Sequence, residues 1–227
     1  MRHAIYFAPP AGSALDHCAA AWLGRDLAGR PVPRPDAPGF APGRLDMLTA
    51  APRHYGFHAT LKPPFALAEG TTLPQLIAAI EKFAAKRSCF AVPQPRVETM
   101  DGFLCLRTDS IEMDALAADC VRAFDEFRAP QSPEELAKRR AGGLSRRQED
   151  MLVQWGYPYV MDQFRFHMTL TERIPNDTER AALAAWLTDW LAPALSGTMM
   201  VREIALYTQA DRSEPFVLSR LFGFGTP

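Results

Sequence analysis

Two short stretches of the chain place proton-transfer groups at matching spacing. Tyr55-Gly56-Phe57-His58-Ala59-Thr60-Leu61 and Phe164-Arg165-Phe166-His167-Met168-Thr169-Leu170 share the pattern F-H-x-T-L. Imidazole, with an ordinary pKa of about 6.5, exists in both protonation states near neutrality. One neutral histidine can therefore take a proton from an attacking water while a protonated one delivers a proton to a departing oxygen. A threonine two residues on can hold nonbridging phosphate oxygens between them. Two such motifs suit a phosphodiester or cyclic phosphate, whose reaction needs groups on opposite sides of phosphorus. A single histidine on a strand is ordinarily an edge or surface residue. Duplication with the same internal order argues against that reading here.

Strand periodicity assigns the faces. Gly56, His58, Thr60 and Lys62 share one face of a strand read over Tyr55 to Leu61, with the apolar residues on the other. A second strand, within 162 to 171, puts Arg165, His167, Thr169 and Thr171 together. After each motif the chain runs through an amphipathic helix, a strand and another strand. The first series is Leu73–Lys86, Cys89–Glu98 and Phe103–Arg107; the second is Thr178–Leu191, Met199–Tyr207 and Phe216–Leu221. This is an internal repeat. It predicts an α+β, bilobal duplicated fold with two antiparallel sheets facing a central cleft and helices on their outer faces. The expected unit is one domain over 1–227, with lobe centres at 1–100 and 103–227 and room for strand exchange. Upstream, residues 3 to 8 read as a strand and 14 to 24 as a helix capped by Ser13. Residues 29 to 43, with five prolines and three glycines, read as a loop. A further helix is expected over 111 to 127. Residues 131 to 158 read as an insertion or lid with a short helix from Ser145 to Trp155.

The 227 residues are 48% hydrophobic and 22% charged, enough for a buried core. A formal net charge of −1 gives no bulk attraction to nucleic acid or anionic lipid, so phosphate must be recognised locally. Cys18, Cys89, Cys105 and Cys120 are widely spaced and read as free thiols in a reducing compartment. No apolar leader or membrane-length run is present, and a cytoplasmic protein is expected. No phosphate-binding glycine loop, nucleophilic serine elbow or clustered metal-ligand set accompanies the histidines. No cofactor and no metal are expected.

The two F-H-x-T-L stretches resemble the signatures of the two-histidine (2H) phosphoesterase superfamily, and the repeat extends that resemblance over almost the whole chain. It implies a bilobal α+β fold with two H-x-[ST] strands across a groove. It also implies metal-free action on cyclic phosphates, RNA ends or related phosphodiesters. Tyr6-Phe7-Ala8-Pro9, Trp22-Leu23-Gly24-Arg25-Asp26, Tyr55 to Phe65 and Trp155-Gly156-Tyr157-Pro158-Tyr159-Val160 are similar to a branch encoded with bacterial phosphonate-use genes. That similarity implies a small sugar substrate such as ribose 1,2-cyclic phosphate carrying a 5-phosphate. The alternatives are an RNA 2′,3′-cyclic phosphate end, or a non-enzymatic phosphate-ligand or RNA-binding protein. His58, Thr60, His167 and Thr169 are the catalytic candidates. Lys62 and Arg165 are phosphate-binding candidates by position in the two rows, against an ordinary solvent-facing role. Tyr6 can orient phosphate or sugar, against core packing. Tyr159, with Trp155 and Tyr157, can stack on a base or cover a sugar. The expected partner is a small phosphorylated sugar or cyclic phosphate, with an RNA end second and no membrane.

Overall fold

The computed structural model describes residues 1–225; Thr226 and Pro227, the end of the expected domain, lie outside the described residues. In chain order the first half holds β1 (Arg2–Phe7), α1 (Ala14–Leu23), α2 (Pro42–Leu48), α3 (Ala50–Tyr55), β2 (Ala59–Phe65), α4 (Leu73–Ala84), β3 (Phe90–Val92) and β4 (Arg96–Met100). The second half holds β5 (Phe103–Arg107), α5 (Ile111–Ala123), α6 (Pro133–Arg140), α7 (Arg146–Trp155), β6 (His167–Thr169), α8 (Asp177–Leu195), β7 (Met199–Val201), β8 (Glu203–Gln209) and β9 (Val217–Gly223).

The fold is α+β, with antiparallel sheets and flanking helices around a cleft. One sheet has the order β2-β1-β8-β9 and another β4-β5-β6, while β3 pairs with β7. Each motif strand lies beside the strand that opens its own half, β1 beside β2 and β5 beside β6. Beyond those lie strands from the other half: β8 pairs β1, and β4 pairs β5. The halves thus exchange a strand, and the repeat unit is β1-α1-β2-α4-β3-β4, answered by β5-α5-β6-α8-β7-β8. This corrects the sequence alignment, which matched Phe103–Arg107 to the last strand. Phe103–Arg107 occupies the position of β1, and β9 is an added edge strand. β2 and β6 adjoin across the cleft.

Sheet alternation sends Ile5, Phe7, Ala59, Leu61, Leu104, Leu106, Met168 and Leu170 into one continuous core shared with helices from both halves. The opposite face of β1 and β8 carries a smaller cluster of Ala4, Tyr6, Ala8, Ala205, Tyr207 and Phe216. Several expected boundaries move. Residues 55 to 58 are not strand: α3 ends at Tyr55, and Gly56 turns the chain at φ +79° before β2 begins at Ala59. β2 runs through Pro63-Pro64 because it is an edge strand, where missing N–H donors cost no ladder bond. Residues 89 to 98 divide into β3 and β4 around Pro93 and Pro95. The 131–158 segment holds two helices, α6 and α7, each opened by a serine capping box. No helix among the described residues is long and apolar enough to cross a membrane.

Candidate active site

The residue just before β2 is His58, delivered by the Gly56 turn. Its Nδ1–H donates to the Gly56 carbonyl at 2.8 Å, which leaves Nε2 as the acceptor. The Thr60 hydroxyl donates to that Nε2 at 3.1 Å. Tyr6, opposite Thr60 in the β1–β2 ladder, stacks flat on the imidazole with centroids 3.6 Å apart. Burial under this stack lowers the His58 pKa to about 4, and the nearby charges of His167 and Arg25 push the same way. The Gly56 hydrogen bond opposes the shift without overcoming it.

The second histidine repeats the tautomer. His167 donates from Nδ1 to the Arg165 carbonyl, again two residues back, at 2.7 Å. Its Nε2 makes no hydrogen bond among the described residues, and the ring lines a cavity of about 620 Å³ with Thr60, Arg165, Phe103, Tyr157 and Tyr159. His167 is also lowered from the usual imidazole pKa, chiefly by burial, with its Arg165 bond opposing. Both rings therefore sit in the neutral form near pH 7 with Nδ1 committed; Nε2 of His58 holds the Thr60 hydroxyl, and Nε2 of His167 has no partner among the described residues. His58 reaches the cavity through Thr60. Among the described residues no group of three or more His, Cys, Asp or Glu stands together as a metal-ligand set.

Residues 60–217 match the family described as protein of unknown function DUF1045. The chain belongs to the DUF1045 family. A curated relative of this DUF1045 chain, the ribose 1,5-bisphosphate phosphokinase PhnN of Janthinobacterium sp. (strain Marseille), is 42% identical over 176 residues. The match covers 76% of this chain and 39% of that protein. The chain spans about half the length, or less, of the curated relatives it matches. Among solved structures it is similar to TT0787 of Thermus thermophilus, at TM-score 0.49 and 15% identity, covering 100% of this chain and 99% of that one. It is also similar to E. coli LigT complexed with 3′-AMP, at TM-score 0.41 and 14% identity, covering 99% and 98%.

The expected residues of this DUF1045 chain divide into three groups. His58 and Thr60 stand at the start of β2 and His167 and Thr169 on the adjoining β6; Thr60 and His167 line one cavity, and Thr169 is not among its lining residues. Arg165 is exposed on the cavity that His167 lines, and Tyr159, 48% exposed, lines it too. Lys62 and Tyr6 depart from expectation. The β1–β2 register shifts between Tyr6↔Thr60 and Ile5↔Lys62, so Lys62 does not continue the His58 row. Its side chain is 2% exposed, its Nζ donates to the Val121 carbonyl and to Asp125, and burial lowers its pKa to about 8. Lys62 lines a neighbouring cavity instead. Tyr6, 1% exposed, meets the His58 ring and lines neither cavity.

Two braces went unnoticed in the sequence, although both lie in Trp22–Asp26. The Trp22 indole donates to the Leu170 carbonyl at 2.8 Å, just beyond Thr169. Arg25 donates from Nε to the Arg53 carbonyl at 2.5 Å and from Nη2 to that of Phe216 at 2.9 Å, fixing the turn before His58. The end of α1 thus ties down the backbone of both motifs. Only the three-dimensional exchange of strands brings one helix end to both places.

Proposed function

We propose that this protein hydrolyses a small cyclic phosphate or phosphodiester without a metal ion, using the two histidines as base and acid. The observation that carries this reading is the repeated tautomer. Each Nδ1–H is spent on a carbonyl two residues back, at Gly56 and Arg165, so each histidine turns Nε2 to the chemistry, with a threonine two residues on in the sequence. His58 takes the base role when the Thr60 hydroxyl, which donates to its Nε2, turns to a phosphate oxygen and leaves the Nε2 lone pair to water. Its Nε2 accepts a proton from water as the hydroxide oxygen bonds to phosphorus. The P–O ester bond then breaks, and the departing oxygen takes the proton from Nε2 of protonated His167. Exchange with solvent returns both rings to their starting forms. The threonine hydroxyls, and Arg165 with its planar fork of donors, counter the charge on the nonbridging oxygens.

Within this class the finer reading is a ribose cyclic phosphate. The curated relatives are named for ribose 1,5-bisphosphate. Water attack on a ribose 1,2-cyclic phosphate 5-phosphate, with rupture of the bond from phosphorus to the 2-oxygen, leaves that compound. A second reading, a nucleotide 2′,3′-cyclic phosphate or RNA end, draws on the aromatic rim. Tyr159 is half exposed and meets Tyr157 edge-on at 5.7 Å, a surface on which a base can stack. A single panel tests both: the ribose cyclic phosphate, 2′,3′-cyclic nucleotides and RNA with a 2′,3′-cyclic end, each assayed with excess chelator. Turnover that survives the chelator is expected. Loss of all turnover on chelation sinks the metal-free mechanism, and binding without turnover favours a ligand-binding protein. A preference for RNA of about 100-fold, about 2.7 kcal/mol, displaces the sugar reading.

A further inference from the structure

A second cavity, of about 580 Å³, adjoins the catalytic one; Pro63, Val121 and Tyr157 line both. Six cationic side chains line it: Arg2 from β1, Lys62 from β2, Arg128, Lys138 and Arg139 from the 128–140 stretch, and Arg212 from the turn between β8 and β9. One carboxylate, Glu135, lines it, and that is engaged by Arg212. Asp125 serves Lys62 and Arg128 together. Arg2, Lys138 and Arg139 have no carboxylate partner among the described residues; Arg2 bonds Gln209 and Arg139 lies over the Tyr157 ring at 4.6 Å. A chain of net charge −1 has thus gathered an excess of positive charge from four separate segments into one concavity. Phe65, Trp155 and Tyr157 give the cavity walls of low polarizability, against which the field of the cations is stronger than in open water. Gln131, also on the wall, has a buried side-chain oxygen without a hydrogen-bond partner.

We infer that this cavity is the binding site for a second phosphate, a phosphomonoester dianion carried by the same molecule whose cyclic phosphate lies between His58 and His167. The inference rests on the phosphoesterase reading and deepens it: the substrate class becomes a small cyclic phosphate with a terminal phosphate. Three features match that class. Arginine forks suit a terminal phosphate with three free oxygens. The unpartnered Gln131 oxygen suits a sugar hydroxyl as donor. The two cavities share Pro63, Val121 and Tyr157 as a common wall, so one small molecule can reach into both. The cations converge on one hollow instead of forming the track that a long polyanion requires. Tyr157, between Arg139 and the catalytic cavity, stands where the sugar would cross.

Matched pairs of compounds test this. Ribose 1,2-cyclic phosphate and uridine 2′,3′-cyclic phosphate are each assayed with and without a terminal 5-phosphate. The phosphorylated member of at least one pair is expected to have a kcat/KM higher by about 30-fold, as for loss of charged hydrogen bonds. Arg139→Gln and Arg2→Gln should each reduce that preference by about tenfold, with KM carrying the change. Arg140→Gln, outside the cavity and paired with Glu149, controls for bulk charge and should leave the preference intact. Equal turnover within both pairs overturns the second-phosphate site while leaving the phosphoesterase standing. Calorimetry with uridine 3′-phosphate and uridine 3′,5′-bisphosphate separates the two failures. Tighter binding of the bisphosphate, weakened by Arg139→Gln, upholds the site even where no compound turns over. No difference in turnover or binding overturns it, as does affinity that climbs steadily with oligonucleotide length.

Discussion

The His58 half and the His167 half share a topology and differ in how they hold their histidine. In the first, Tyr6 stands opposite Thr60 and stacks on the imidazole; in the second, the corresponding position opposite Thr169 is Cys105. His58 is therefore roofed by a phenol ring and masked by a threonine hydroxyl, whereas His167 opens onto the cavity beside Phe103. The difference separates the proton affinities of two otherwise equivalent groups. A proton goes to His167 first, and its charge then discourages protonation of His58, which is the order a base and an acid need. Under the proposed mechanism, duplication supplies the pair and one unlike neighbour sets its members apart as base and acid.

The strongest way to break this comparison is to remove each histidine. His58→Ala and His167→Ala should each lower kcat by roughly 10²–10⁴-fold at unchanged folding, the range for loss of a general acid or base. The double variant should be little worse than the poorer single one, because base and acid act in one step. Circular dichroism and single-turnover rates check both statements. A large loss for only one histidine would make the other structural and end the paired mechanism.

Next in size are the braces at the end of α1, one for each half. Trp22→Phe leaves the Leu170 carbonyl buried without its donor, so a stability loss of about 1–3 kcal/mol is expected. Gly56→Ala strikes the other half. The position has φ +79°, and an added Cβ would stand 3.2 Å from Arg25 Nη2 and 3.6 Å from Tyr207. A cost of roughly 1–3 kcal/mol follows, with displacement of the carbonyl that fixes the His58 tautomer. Chemical denaturation reads the stabilities, and the imidazole nitrogen shifts in NMR read the tautomers. Trp22→Phe should disturb His167 more than His58, and Gly56→Ala the reverse. If both variants disturb both rings equally, the two supports are not separate.

The repeat itself was legible because its signal is local: F-H-x-T-L occurs twice, followed by helix stripes with a period of about 3.6. The helices over Ala14–Leu23 and Leu73–Ala84 could be read for the same reason, each with a capping side chain in sequence reach at Ser13 or Thr72. What could not be read depends on pairing across the chain. Strand exchange puts β8 beside β1, and no local pattern encodes that partner. The placement of Lys62 in the His58 row failed because alternation assumes an unbroken ladder, and the irregularity between Ile5 and Tyr6 breaks it. The basic cavity was half visible: Lys138 and Arg139 stand out in the sequence, but Arg2 and Arg212 join them only through the sheet.

The smallest expected effect concerns pH, and it tests the Tyr6 roof directly. His58 has its pKa lowered to about 4, so near neutrality it is a base already free of its proton. In kcat/KM, the limb that reports loss of this base should lie near pH 4, and the limb that reports loss of the His167 proton should lie below 6.5. The free enzyme should therefore have an acidic optimum. Linkage gives the matching stability effect: a folded-state pKa below the unfolded value makes stability fall as pH falls from 6.5 through about 4, by up to about 3 kcal/mol for His58. Tyr6→Phe keeps the stacked ring and should leave the acid limb in place. Tyr6→Ala opens the imidazole to water, reduces the desolvation that dominates the shift, and should move the limb upward toward about 6.5. Cys105→Ala, at the corresponding position under His167, should move neither limb, because no stacked ring is lost there. A limb that stays near 4 in Tyr6→Ala would mean that the depth of the fold around His58, not the unlike neighbour, sets the difference between the halves.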